Sequence, residues 1–545
     1  MISIREASPD PRGPAAISGE RSFDGRPDLA AITRVAWRLF VALALAFFLA
    51  GAGYDASEGL SDYELAQHFV RTGEIGLPQA KGPIFDRGPD GRLYLAHEFG
   101  NPLALTPMVA LGNGLNAVVG RYLPSDHEDR LASFLATVNS QLAVAAVVTG
   151  AFWIFTACLG LPVRTALTAC AGLAFGSMLF PYSRLGTDLV LGSALVVLAV
   201  AAAWSHALWP RAWLAAVVGA LLAYAFITRM TAALFVPALA AYLGYLAWRR
   251  ERRARPVLTV LLLVGAPLVL ALVWQGWYNH VRTGNFLQPS MLSPRYAMHN
   301  TMSSSNPLDA LAGVLASPGK SLFLFSPVLI AGVPGWKRFF ARRRAECLCL
   351  AGVILPYFLF HCLWRHWSGD WAWGPRLFLP LVALLFLPAA YWLREGVAGG
   401  RRVWAALLLL GVLVQGAGVW NNWQFRFGVV YARSGPWLEP MIWDPAHSLL
   451  LDCAANVGRN IQRMAGTREW ERIAGSSPLH SQAANTINVW WANVPVRGTA
   501  RGALLLFVAL LLLADLALWR ALLRGSAQAG PVPLPQPREA ERLAS

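Results

Sequence analysis

Charge is what this chain has least of. Only 14% of its 545 residues are Asp, Glu, Lys or Arg, 56% are hydrophobic, and mean hydropathy is +0.45. A soluble domain has no use for repeated runs of about 20 uncharged residues, so the deficit excludes one and implies a polytopic membrane protein. Acids are scarcer than bases, 30 against 46, for a net charge of +16. The basic residues stand in short clusters between apolar runs, as topology signals do, which argues against a nucleic-acid partner. Cysteine is sparse as well. Cys158, Cys170, Cys347, Cys349 and Cys362 lie in or beside apolar runs and Cys453 stands alone. That pattern excludes a disulfide framework, and the Cys347–Cys349 pair lacks the second pair of a metal site. No internal repeat is apparent, and no apolar run carries a charge at its centre; Asp515 comes nearest, toward one end. Pumps and coupled transporters usually place ionisable groups at mid-membrane. Their lack here points to chemistry at a membrane face.

What is present is a series of apolar runs: 34–53, 131–159, 163–182, 188–208, 212–228, 230–248, 256–276, 321–336, 346–364, 377–393, 403–422 and 502–520. They predict an all-α fold of about twelve transmembrane helices. Residues 1–33, rich in Pro, Gly, Asp and Arg, are expected to be a disordered cytoplasmic terminus. The basic region ahead of 34–53 makes that first span an uncleaved anchor. A further run, 102–120, is interrupted by Asn101, Asn113, Gly114 and Asn116. If it does not cross, five basic clusters fall in the cytoplasm; if it crosses, all later ones flip outward, against the positive-inside rule. The expected organisation is therefore a membrane catalytic domain over 34–424 with its first external loop at 54–130. An external segment over 425–500, a last helix over 501–524 and a cytoplasmic tail over 525–545 follow.

The loop 54–130 concentrates acids. Ser61-Asp62-Tyr63-Glu64 reads as a capping box opening a short amphipathic helix that Gly73 stops near residue 72. Asp62 then sits at the first helical position, either as an ordinary acid favoured by the helix dipole or as a base or cation ligand at the membrane surface. Asp188 follows Thr187 at the start of a span and reaches the same face, again as a helix-start acid or a functional one. Arg229 stands between two apolar runs and needs a partner, either a structural acid or a phosphate. Lys320, in Ser317-Pro318-Gly319-Lys320-Ser321, resembles the end of a P-loop. Five residues rather than four separate Gly313 from Gly319, so that reading fails and Lys320 remains as a phosphate-contacting cation.

The stretch 365–376 carries three tryptophans within seven residues. They are membrane-interface anchors or, for Trp371 and Trp373, a flat platform for a sugar. Arg376 suits a lipid phosphate. His361 and His366 lack a carboxylate at zincin spacing and read as interface histidines. His97, Glu98 and His280 are candidate ligands for a divalent metal ion on the outer side.

In their order along the chain, these stretches resemble polytopic GT-C type, polyprenyl-phosphate-dependent membrane glycosyltransferases, of the Rgt-like and protein-mannosyltransferase-like group. The residues that carry the resemblance are Ser61-Asp62-Tyr63-Glu64, Thr72-Gly73-Glu74, Asp90-Gly91-Arg92-Leu93-Tyr94 and His127-Glu128-Asp129-Arg130. Pro181-Tyr182-Ser183-Arg184 with Asp188, then Arg229, Ser317–Phe323 and Trp373-Gly374-Pro375-Arg376, complete the set. The resemblance implies transfer of a sugar from a polyprenyl-phosphate donor to a hydroxyl of a glycan, lipid or protein. It further implies an active site facing the periplasm from a bacterial cytoplasmic membrane, with Asp62 as base and Arg229, Lys320 and Arg376 on the phosphate. The chain departs from the family pattern in lacking an Asp-Glu doublet at Asp62, and in having Asp188 where Glu is expected. Alternative readings are a ligase of lipid-linked glycans, a flippase or transporter for them, and a membrane scaffold.

Overall fold

A computed structural model describes residues 29–53, 58–82, 84–119, 130–288, 306–394, 400–435, 438–465, 488–493 and 498–528. Residues 1–28, most of 466–497, residues 529–545 and the 127–129 part of the His127–Arg130 motif lie outside the described residues.

Among the described residues the fold is all-α apart from one hairpin, as the apolar runs require. Nine helices among the described residues are long and apolar enough to cross a membrane. Three of the twelve expected runs take other forms. The run 163–182 divides into Val163–Phe175 and Leu179–Tyr182, and 212–228 is a 17-residue helix. The run 321–336 breaks at Ser326 and Pro327 into Leu322–Phe325, a 3-10 turn and Val333–Arg342, because proline removes a backbone donor and fixes φ. The first helix, α1 (Leu29–Ala50), begins five residues before the expected 34, inside the stretch expected to be unstructured.

Its far end is capped from the other end of the sequence. The amide of Trp490 donates to Gly51 O, and the indole N–H groups of Trp490 and Trp491 donate to Phe48 O and Leu49 O, each at 2.8 Å. Carbonyls at a helix end lack donors from a following turn, and of these Phe48 O also accepts a local amide, that of Gly51 at 3.1 Å.

The next element, α2 (Glu58–Thr72), starts three residues before Ser61. The expected capping box is therefore not formed. The Ser61 hydroxyl accepts from Ile84 N (3.3 Å), and the Glu64 carboxylate accepts from Lys81 N and Gly82 N (3.0 and 2.9 Å). Ser61 and Glu64 thus fold the following chain back onto α2 instead of closing its own first turn. The approach is so close that a Cβ on Gly82 would lie 2.3 Å from Ser61 Oγ. The far end is as expected: Thr72 is the last helical residue and Gly73 takes φ +75°.

The hairpin β1 (Phe85–Arg87) and β2 (Leu93–Leu95) leads into α3 (Gly100–Val119), which packs beside α2 and α4 (Arg130–Trp153). Helix α3 covers the interrupted run and runs unbroken through Pro107. Beyond α4 come α5 (Val163–Phe175), α6 (Leu179–Tyr182), α7 (Asp188–Leu208), α8 (Ala212–Thr228), α9 (Val236–Glu251) and α10 (Ala254–Thr283). Helix α7 and the span Arg376–Arg394 are 83% buried in their apolar windows, whereas Arg501–Arg524 is 6% buried. The first two form the centre of the bundle and the last lies on its rim. Without an apolar–water contrast between helices in lipid, close packing and polar contacts at the centre hold such a bundle.

Candidate functional site

The site gathers where residues 58–101 meet the ends of α7, α8 and the span Arg376–Arg394. The contact depends on Gly100. A Cβ there would lie 2.6 Å from Ile227 O and Thr228 N, so only glycine lets the start of α3 abut the end of α8. Tyr224 seals the junction by donating to Gly100 O at 3.0 Å.

The next residue, Asn101, is buried and uses its amide twice. Nδ2 donates to Asp62 Oδ2 at 2.6 Å and to Gly186 O at 2.8 Å. It ties the acid of α2 to the turn that delivers Asp188. Asp188 in turn accepts from Arg229 Nη1 at 2.9 Å, and both side chains are largely buried. The expected partner of Arg229 is therefore this acid.

A second pair completes the cluster. Arg376 Nη2 donates to Glu58 Oε1 at 2.8 Å. Burial alone would raise the Glu58 carboxyl, but Arg376, His97 and Arg229 outweigh it and hold the group at about 2. Both guanidinium groups act on one carboxylate, so the two ion pairs belong to a single electrostatic site. Each arginine also has a buried Nε–H without an acceptor among the described residues. A buried donor left unanswered costs roughly 1–3 kcal/mol.

Two of the expected phosphate or sugar contacts are corrected by their packing. Lys320 is buried, and its Nζ donates to Asp370 O (2.8 Å), Ala372 O (3.0 Å) and Gly374 O (3.3 Å). An ammonium has three N–H groups, so all of them are spent on the main chain and none remains for a phosphate. Burial pulls this group down to about 7, with Asp370 offsetting part of the effect. Trp373 is fully buried: its indole donates to Gln415 Oε1 at 3.2 Å and its ring meets Phe325 edge-on. It offers no face to a sugar. Trp371 is half exposed over Phe427, with ring centroids 4.9 Å apart.

His97 and Glu98 lie at the cluster; Arg229 feels the Glu98 carboxylate. Their backbone is fixed by Arg282, whose Nη1 donates to Leu95 O, Ala96 O and His97 O at 3.0–3.2 Å. His280 is exposed on α10, away from the inward-facing Asn279 and Arg282. No three His, Cys, Asp or Glu groups converge for a metal among the described residues. His366 pairs with Asp370 at 3.0 Å, and that contact holds Asp370 below its usual range despite burial.

Sequence reasoning passed over Glu58, Asn101 and Arg282. Glu58 precedes Asp62 by four residues and shares its helical face. Asn101 looked like an interruption of an apolar run. Arg282 ends a span much as Arg229 does, and that likeness was the available signal.

Fold and site together define a polytopic, all-α membrane protein with a largely buried cluster of acids and arginines where residues 58–101 meet the bundle. No family model and no curated relative matches the chain. Among solved structures it is similar to ArnT from Cupriavidus metallidurans bound to undecaprenyl phosphate (15% identity, TM-score 0.42, covering 76% of this chain and 73% of that one). The apo form of the same protein gives 14% identity and a TM-score of 0.45, covering 78% and 76%. The Archaeoglobus fulgidus oligosaccharyltransferase in complex with Zn and sulfate gives 12% identity and a TM-score of 0.46, over 74% of this chain and 55% of that one. At these identities and scores the likenesses assign no chemistry to this chain.

Proposed function

We propose that the chain is a membrane glycosyltransferase that moves a sugar from a polyprenyl-phosphate donor to a hydroxyl of a glycan, lipid or protein acceptor. The reaction takes place at the outer face of a bacterial cytoplasmic membrane. The observation that carries this reading is the pair of arginines, 229 and 376. Each is neutralised by an acid, each has an Nε–H without an acceptor among the described residues, and both act on Glu58 of α2. A guanidinium has five donors in a fork that matches phosphate. It can therefore hold its acid and a phosphate at once.

Asp62, oriented by Asn101, accepts the proton of the acceptor hydroxyl. The acceptor oxygen bonds to the anomeric carbon as the bond from that carbon to the phosphate oxygen breaks. Polyprenyl phosphate leaves with the electron pair, and Arg229 and Arg376 stabilise its developing charge. A single displacement from opposite faces inverts the anomeric centre. Asp188 fixes Arg229, and Trp371 offers its exposed face to the sugar or acceptor.

Purified protein in vesicles, given a panel of polyprenyl-phosphate sugars, should release polyprenyl phosphate from at least one donor. Lipid movement across the vesicle without release from any donor would replace this reading with a flippase.

A further inference from the structure

We propose that Lys320 is a positioning residue for Arg376: its ammonium clasps the main chain of the loop that ends at Arg376 and so sets where that guanidinium stands. This rests on the proposed role of Arg376 as a phosphate contact.

The loop runs from Arg365 to Arg376 and turns through Gly369, Asp370 and Gly374, all at positive φ. Such a path has few main-chain hydrogen bonds of its own. Lys320 supplies them from outside, to the carbonyls of residues 370, 372 and 374, two residues short of Arg376. The clasp is itself anchored. Ser317 Oγ accepts from the Lys320 amide at 2.9 Å, Gly319 N donates to Ile442 O at 3.1 Å, and Ser448 Oγ donates to Pro318 O at 2.9 Å. The Phe427 ring lies 5.5 Å from Nζ and closes the remaining side. The charged groups around the ammonium are Asp370, paired with His366, and Arg376, paired with Glu58. The segment 438–448 thus bears on this loop through the turn that carries Lys320.

The test combines backbone hydrogen exchange over residues 369–378 with binding of polyprenyl phosphate, in wild type, Lys320→Met, Arg376→Gln and the double variant. Lys320→Met keeps the volume and removes the donors. Exchange in that peptide should rise about tenfold or more, and affinity should fall as far as in Arg376→Gln. The double variant should bind no more weakly than Arg376→Gln alone, the mark of two residues acting through one contact. Unchanged exchange would overturn the proposal, and so would a double variant that loses the sum of the two, since Lys320 would then touch the ligand itself. Should Lys320→Met not fold, Lys320→Arg, which keeps charge and donors, must retain slow exchange; fast exchange there overturns the proposal too. Absence of binding by wild type would count against the proposed function, while the exchange result would still decide the positioning role.

Discussion

The two sides of the cluster are built by different means. On one side, α2, Asn101, Asp188 and Arg229 meet mainly through side chains: an acid held by an amide that also reaches Gly186 O, and an acid held by a guanidinium. On the other, Lys320 and the 365–376 loop meet through main-chain carbonyls. A carboxylate partner can be shared with an incoming phosphate, because arginine has donors to spare. Three carbonyls around an ammonium leave nothing to share. Charge of one sign thus pairs with acids in Arg229 and Arg376 and holds loop architecture in Lys320, although the three looked alike in the sequence.

Breaking the first side should have the larger effect. Asp188→Ala leaves the Arg229 guanidinium buried and unpaired, and losing one partner of such a pair costs about 3–5 kcal/mol. The expected result is a large drop in melting temperature in detergent together with lost turnover. Retention of wild-type stability would mean the pair is solvated and the cluster open. Asn101→Leu removes two hydrogen bonds and leaves the Asp62 carboxylate and Gly186 O without that donor, a loss of roughly 1–3 kcal/mol per unanswered group. Turnover should fall more than stability, read as a reduced kcat in folded protein.

Acidity sharpens the comparison further and has the smallest effect. The folded pKa of Glu58 lies at about 2, below its unfolded value, so its contribution to stability is present above about 4.5 and disappears as pH falls through 2. No acid limb from Glu58 should appear between about pH 5 and 8, and Glu58→Gln should leave the pH dependence of stability over that window unchanged. Lys320 behaves oppositely. Its folded pKa of about 7 lies below the ordinary lysine value, so the group disfavours folding at low pH and that penalty fades as pH rises through 7. Its amine form has two N–H groups for three carbonyls. Raising the pH from 6 to about 9 should therefore weaken phosphate binding without lowering the melting temperature. Parallel loss of both would contradict the clasp.

Local signals in the sequence were read well. Helices α7 and α8 occupy the expected 188–208 and 212–228, because Thr187, Pro210 and Arg211 punctuate uninterrupted apolar runs. Gly73 ended α2 where a residue at positive φ was needed. What failed was whatever depended on distant partners. Ser61 and Glu64 had capping-box spacing, yet their hydrogen bonds go to amides 17 to 23 residues away. Lys320 finds its carbonyls 50 to 54 residues on, and Arg376 pairs with an acid 318 residues earlier. No period in the sequence encodes such contacts. Asp62, Asp188, Arg229 and Arg376 could be named from the sequence, but which groups meet depends on how the bundle closes. Trp371 and Trp373 make the same point: two residues apart in one motif, one is half exposed and the other sealed.

The most direct test is the release of polyprenyl phosphate by wild type and by Asp62→Asn, compared at equal amounts of folded protein and with an active donor. Asn keeps the shape of the side chain and cannot take the acceptor proton, so release should fall by about 10²–10⁴-fold while polyprenyl phosphate still binds. Release at the wild-type rate from Asp62→Asn would contradict the assignment of Asp62 and, with it, the account of the cluster as a glycosyl-transfer site.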